Sequence, residues 1–305
     1  MFGRTKYDWA RFESYGFFTD IDDDTWRRHQ QRAQTALHIE SLYYNQSYPN
    51  DQADTNPAAW LMMNVHPFFT CPNLRRVGGH GDGAKWTCDP HRFVQQSDCL
   101  IYSFGSSGSY TFEDTIAYYR RNGPHPSHHD HTCEIHVFDP EPSYARVNDT
   151  IVHNIHYHAW ALQSSRVRTT TTNTKKRKYQ WQLASQYKNL YEIIQELGHD
   201  NRRIDVLKID CEGCEWTTYQ DWLFTSNNSN TTHPVVRADI RQILIETHAV
   251  PDPNVIAGGP PVFFDALIQN HYVLFSKEAN THPGARPYGL FYEWSWLKLH
   301  PNFFG

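Results

Sequence analysis

Residues 99–114 read CLIYSFGSSGSYTFED. An apolar run rich in strand-forming side chains stops at Gly105, crosses two serines to Gly108, and passes from Thr111 into a segment of helical polarity. Strand, tight turn and helix in that order form the first half of a βαβ unit. Six further strand candidates follow, at 133–139, 155–162, 205–211, 242–248, 272–279 and 289–298. Helical patterns at 111–121, 188–198, 215–225 and 261–270 separate most of them. Strands alternating with helices predict a parallel sheet covered by helices. Only NTHPGARPY separates the last two strands. That is too short for a crossover helix, so they are expected to pair as an antiparallel hairpin. The fold class expected is α/β: a Rossmann-like, seven-stranded, mostly parallel sheet with helices on both faces and a C-terminal antiparallel β-hairpin.

Upstream of this pattern the chain changes character. Residues 22–44, DDDTWRRHQQRAQTALHIESLYY, read as a helix with aspartates in the first turn and Trp26, Ala33, Leu37 and Leu42 roughly along one side. The glycine-rich segment CPNLRRVGGHGDGAKWTCDP follows at 71–90. The chain has 305 residues and 39% hydrophobic residues, enough to bury a substantial core. No apolar run approaches the length of a membrane helix, so no membrane span is expected. The formal net charge of −5 argues against a general nucleic-acid binder, and no nucleic-acid partner is expected. The first residues carry no signal-peptide core. A cytoplasmic protein is expected as the chain stands, or one of the secretory-pathway lumen if a targeting segment has been removed. Sequons at Asn45, Asn148, Asn227 and Asn230 suit a lumen, although polar loops generate such triplets by chance. Six cysteines in a chain this long do not make a disulfide scaffold. Cys71 and Cys88 flank the glycine-rich segment and can pair, Cys99 and Cys133 each open a strand and can be neighbours, and Cys211 and Cys214 form a C-x-x-C at a strand-to-helix turn, where a redox or zinc role is disfavoured because no second pair at zinc spacing accompanies it. The histidines of HPSHHDH (125–131) read as surface decoration, with a metal-binding tract as the alternative, and the basic RVRTTTTNTKKRKYQW (166–181) as a solvated insertion, with an anionic-substrate or lid contact as the alternative.

The chemistry of such a sheet sits beyond the carboxyl ends of its strands. The first strand ends in Gly105, Ser106, Ser107 and Gly108, which let the chain turn tightly and a ligand come close. Glu113 and Asp114 stand in the first turn of the next helix. A pyrophosphate wants free amides and no carboxylate at that place, and the G-x-G-x-x-G spacing is missing. A phosphate-free, cationic nucleoside such as S-adenosylmethionine (SAM) fits better. The second strand ends VFDP, where Asp139 is placed to hold a ribose diol or simply to cap a turn. Trp160, closing the third, can flank an adenine or belong to the core. The fourth gives DVLKIDCEGCEW, crowding Asp210, Glu212 and Glu215 at the top of the sheet, and the fifth gives ILIETH, with Glu246 and His248 on one face.

The segments YSFGSSGSYTFED, CEIHVFDP, LGHDNRRIDVLKIDCEGCEW and ILIETH resemble the FkbM-type, methyltransferase-like domain of class I SAM-dependent methyltransferases. RVGGHGDGAKWTCDP resembles the segment before the core in that family. The resemblance spans roughly residues 70–300 and omits 1–60. It implies that Gly105, Ser106, Ser107 and Gly108 line the methionine part of SAM, that Asp139 holds the ribose, that Asp210 lies near the transferred methyl, and that Asp82 and Gly83 close over the cofactor. The chain departs from the commonest class I glycine motif, with Phe104 and serines where an acid and alternating glycines stand. On this reading residues 1–60 are an N-terminal helical extension, 61–98 a glycine-rich lead-in and 99–305 the SAM-binding domain.

The activity expected is O-methylation of a sugar, glycan or other small polar hydroxyl acceptor. A hydroxyl must lose its proton on transfer, and Asp210, His248 and Glu212 are the candidate groups to take it. Glu215 can instead cap the next helix. A divalent metal held by Asp210, Glu212 or His248 is an open alternative. The rival functions are a nicotinamide oxidoreductase and a non-catalytic binding protein of the same fold. A base-modifying enzyme is disfavoured by the missing N-P-P-[YF] motif.

Overall fold

The computed structural model describes residues 8–47, 57–122, 133–146, 154–165, 186–223, 238–248, 260–280 and 291–305. Its strands are β1 (Leu74–Val77), β2 (Lys85–Cys88), β3 (Leu100–Phe104), β4 (Glu134–Phe138), β5 (Ile155–His158), β6 (Ala161–Leu162), β7 (Tyr187–Lys188), β8 (Ile204–Ile209), β9 (Ile240–His248), β10 (Tyr272–Ala279) and β11 (Phe291–Lys298). Its helices are α1 (Asp8–Glu13), α2 (Asp23–Ser47), α3 (Pro57–Asn64), α4 (Pro90–Val94), α5 (Thr111–Asn122), α6 (Leu190–Glu196), α7 (Glu215–Leu223) and α8 (Pro260–Gln269).

Seven strands form the central sheet in the order β10-β11-β9-β8-β3-β4-β5. The pairs β5–β4, β4–β3, β3–β8 and β8–β9 are parallel, whereas β11 runs antiparallel to both β9 and β10. The expected α/β architecture and its terminal hairpin are therefore what the chain adopts. Strands β3, β8 and β9 are buried along their whole length, as parallel strands covered on both faces must be. The strand order reverses between β3 and β8, and that switch point is where ligands bind in such sheets.

Two features depart from the sequence reading. The third strand candidate is interrupted: β5 ends at His158, and β6 leaves the main sheet to pair with β7. The glycine-rich segment is an antiparallel hairpin, β1 against β2. All six cysteines are bridged, as Cys71–Cys88, Cys99–Cys133 and Cys211–Cys214, so the C-x-x-C holds no free thiol.

The first two helices dock on the same core as the sheet. Trp26 of α2 is fully buried against Phe18, Phe69 and Phe303, and its indole N–H donates to the buried Glu13 at 2.6 Å. Ala33 is buried on the same side of the helix and Leu37 packs partly onto the core, while the Leu42 side chain lies outside what the structure describes. The stretches 125–131 and 166–181 and the sequons at 148, 227 and 230 lie outside the described residues. Among the described residues no helix is long and apolar enough to cross a membrane.

Candidate active site at the switch point

Gly105 ends β3 with φ +76°, and a Cβ there would stand 1.6 Å from the carbonyl oxygen of Asp210. Its N–H donates to Phe138 O, while the N–H of Asp210 donates to Phe104 O. The β3 turn and the β8 exit are thus locked at van der Waals contact, which only glycine permits. Ser107 follows at φ +48° and donates its backbone N–H to Asp139 Oδ2 at 3.0 Å; Glu141 N–H donates to Oδ1 at 3.1 Å. Gly108 lies against the Tyr144 ring, 3.1 Å from where its Cβ would be. The structure therefore brings together Gly105, Ser106, Ser107, Gly108 and Asp139. The Asp139 carboxylate caps the turn with one bond per oxygen, and each oxygen keeps a lone pair for a hydroxyl donor. Trp160 is half-buried, stacked on His158 at 4.5 Å with the Lys188 ammonium 3.7 Å over its ring.

Beside this turn lies a buried cluster of charges. Lys85 of β2 is 1% exposed and points onto the sheet, where its ammonium donates to Asp210 Oδ2 at 3.1 Å and Glu293 Oε1 at 2.5 Å and stands 3.7 Å from Glu246 Oε2. A buried ammonium is tolerable only with such compensation. Register explains the convergence: Glu246 pairs with Glu293 across β9 and β11, and 246 and 248 share a face. The hairpin is fixed from below by Gln242, whose amide makes two bonds to the backbone of Cys88, at 2.9 and 2.8 Å.

His248 Nε2 lies 3.5 Å from Asp210 Oδ1 and 3.7 Å from Glu212 Oε2, and Nδ1 lies 3.4 Å from Glu215 Oε1 without hydrogen-bond alignment. Glu215 is fully buried at the start of α7. It accepts the backbone N–H of His248 at 2.6 Å and that of Gly213 at 2.9 Å, so it caps the turn and also holds the end of β9. Glu212, at φ +55°, has a side chain 84% exposed.

These contacts set the protonation states. For Lys85, burial opposes the charge, but Glu293, Asp210 and Glu246 outweigh it and hold the ammonium above its ordinary value. For Asp210, burial likewise acts against the charge, and Lys85, Lys208 and His248 more than offset it, keeping the carboxyl below its ordinary range. Burial, then Glu293 and Asp210, push Glu246 up to about 8. Burial works against the imidazolium of His248, yet Glu215, Glu246 and Asp210 push it up to about 9. One donor atom each from Asp210, Glu246 and His248 lie within 4.8 Å of one another, a spacing compatible with a metal. Lys85 already stands among these carboxylates, so the cluster carries its own cation.

A cleft of about 350 Å³ opens beside the cluster, lined by Arg76, His80, Asp82, Glu278, Asn280 and Glu293, among others. Asn280 donates to Asp82 Oδ1 at 3.0 Å and to Glu246 Oε1 at 2.6 Å. Asp82 and Gly83 thus sit at the β10 side of the site, tied through Asn280 to Glu246. Glu293 Oε2 is buried, with no hydrogen-bond partner among the described residues.

Sequence reasoning missed Lys85, Glu293 and Asn280. The available signal was a lone acid inside the aromatic strand FYEWSW and a lone lysine opening KWTC. Glu113 stands in the first turn of α5, as the sequence places it. It is fully buried there and accepts the Ser103 hydroxyl at 2.5 Å.

A seven-stranded sheet with one antiparallel strand next to its edge, and a glycine turn and acids at its switch point, defines a Rossmann-like fold of the methyltransferase type. The chain belongs to a methyltransferase-domain family, which matches it over residues 8–292. The match begins in α1, so the first helices, outside the resemblance read from the sequence, lie within it. No curated protein matches the chain.

Proposed function

We propose that this chain is a SAM-dependent O-methyltransferase of the FkbM type acting on a sugar, glycan or other small polar hydroxyl acceptor. The observation that carries the reading is the meeting, at the switch point, of the Gly105 turn, the Asp139 carboxylate and the charge cluster around Asp210. The residues fit the cofactor: a tight glycine-serine turn at the end of β3, a carboxylate with lone pairs for a diol, and the Asp210 carboxylate for a cationic sulfonium. When bound, SAM supplies the methyl group and its own leaving group. Gly105, Ser106, Ser107 and Gly108 would hold its amino-acid part, Asp139 its ribose, and Asp82 and Gly83 would close the β10 side.

The protein's share is alignment and proton removal. The acceptor lies in the cleft beside Glu293 and Asn280, whose lining is polar enough for a polyol. His248 takes the hydroxyl proton in its neutral form, with Glu215 against Nδ1 holding the ring so that Nε2 faces the acceptor. Asp210, kept ionised by Lys85, orients the incoming hydroxyl and the imidazole. Glu212 closes the solvent side. Three disulfides support an oxidising compartment such as the secretory-pathway lumen. The chain's negative charge supports an acceptor other than nucleic acid.

Calorimetry with SAM, its demethylated product and NAD, followed by a mass-shift assay with labelled SAM on a glycan and metabolite panel, tests the reading. SAM and its product should bind, Asp139→Ala should weaken both, and one panel member should gain a methyl group. Retention of NAD with no response to SAM would sink it.

A further inference from the structure

The opposite face of the sheet carries a second polar cluster for which methyl transfer has no use. Tyr102 of β3, Glu134 and His136 of β4, and His156 and His158 of β5 share that face, because Tyr102 pairs with His136 and His136 with His156. His199, just beyond α6, comes down onto them, its ring 5.1 Å from that of His136. Two imidazole nitrogens converge on one oxygen: Glu134 Oε1 lies 2.9 Å from His136 Nε2 and 3.3 Å from His199 Nε2. Arg202 holds the other oxygen at 2.5 Å. His136 and His199 are both buried.

From these contacts we infer that Glu134, His136 and His199 form a binding site for a zinc-type transition-metal ion, with Tyr102 and His158 orienting the two imidazoles. The donor set, two imidazoles and one carboxylate with all three donor atoms within 4.8 Å, suits such an ion. The outer contacts are those that metal-binding histidines require, since each ring's second nitrogen must be held. His136 Nδ1 lies 2.8 Å from His158 Nε2, and His199 Nδ1 lies 2.7 Å from the Tyr102 hydroxyl. Arg202 does the same for the carboxylate, leaving Oε1 for the ion.

Burial lowers His136, and burial with the neighbouring histidines takes His158 down to about 4. A pocket of about 180 Å³, lined by His199, Asp200, Arg202 and Asp239 among others, borders the cluster on its His199 side. Along β4 its ligands stand about 16 Å (Glu134) and about 10 Å (His136) from Asp139, on the other face of the sheet from Lys85. The three ligands are distinct from the groups of the candidate active site, while the backbone of His158 accepts the Asp139 N–H at 3.1 Å.

The same atoms can instead be wired as a closed hydrogen-bond network without metal, and titration decides between the two. Full-chain protein stripped with a chelator should bind one Zn²⁺ by calorimetry. Co²⁺ in its place should give visible absorption bands of a four- or five-coordinate, nitrogen-bearing site. His136→Ala and His199→Ala should abolish both signals. Tyr102→Phe, which keeps every ligand, should weaken affinity roughly 10–100-fold. Asp210→Asn should leave the one-site stoichiometry intact, and near-ultraviolet circular dichroism verifies that each variant is folded. Folded wild-type protein that takes up no stoichiometric metal, or uptake that survives His136→Ala and is lost in Asp210→Asn, would overturn the inference.

Discussion

At the scale of single residues, the switch point is held by what is missing from Gly105. An alanine there would need a left-handed backbone, costing about 1–2 kcal/mol, and would also drive its methyl into the Asp210 carbonyl. Gly198, beyond the end of α6, has φ +70° but open space around it. Gly198→Ala should therefore cost only the conformational strain and lower the thermal midpoint by a few degrees. Gly105→Ala should lower it far more or prevent folding, and equal midpoints for the two would refute the close-packing account. Lys85 makes the complementary case. Replacing it with methionine leaves three carboxyls facing one another without their cation, a loss of about 3–5 kcal/mol. Adding Glu293→Gln should recover part of that loss, because the second change removes a charge that Lys85 no longer balances. Chemical denaturation of the two single variants and the double variant measures the coupling directly. Strict additivity would show that Lys85 and Glu293 do not share one network.

At the scale of elements, the core strands were legible because buried parallel strands read as apolar runs, as CLIYSFG and DVLKIDC do. The short pieces were not. LRRV and KWTC look like loop sequence, since four residues carry too little periodicity, and their pairing depends on Cys71, Cys88 and the Gln242 clamp from a distant strand. The break after His158 was hidden for a related reason: IHYHAWAL reads as one strand until its second half finds Tyr187–Lys188 as a partner. Asp210, Glu212 and His248 could be grouped from strand ends alone. Lys85 and Glu293 reach them only through tertiary register, so nothing local announced them. The disulfides can be ranked by the loops they close. Sequence separations of 34, 17 and 3 imply losses on removal of about 4, 3 and 2 kcal/mol for Cys99–Cys133, Cys71–Cys88 and Cys211–Cys214 in the chain-entropy account. Alanine pairs at each bridge, compared by denaturation, should give that order. The Cys71–Cys88 pair should further lose acceptor turnover in excess of its stability loss, because that bridge pins the hairpin carrying Lys85. An alanine pair there with full turnover would show that β2 is held by the Gln242 clamp alone.

For the molecule as a whole, the buried cluster makes stability depend on pH in a definite sense. Glu246 binds its proton up to about 8 in the folded chain, against an ordinary value of 4.5. His248 keeps its proton up to about 9, against 6.5. In both cases the folded state holds more protons than the unfolded chain, so stability falls as pH rises. The Glu246 contribution is whole below about 4.5 and is lost through about 8; that of His248 is whole below about 6.5 and is lost through about 9. Asp210 acts in the opposite sense, since its carboxyl is held below the ordinary 3.8, and its contribution disappears only as the solution becomes strongly acidic. The thermal midpoint should therefore decline from pH 6.5 to 9, and Glu246→Gln should flatten the part of that decline below about pH 8. Turnover should move the other way, rising towards a plateau above about pH 9 as His248 gives up its proton and becomes able to accept one from the hydroxyl. An enzyme that methylates best where it is least stable would follow from one imidazole serving both purposes. A rate independent of pH between 7 and 9.5, with the stability slope still present, would move proton acceptance from His248 to Asp210, which is ionised throughout that range.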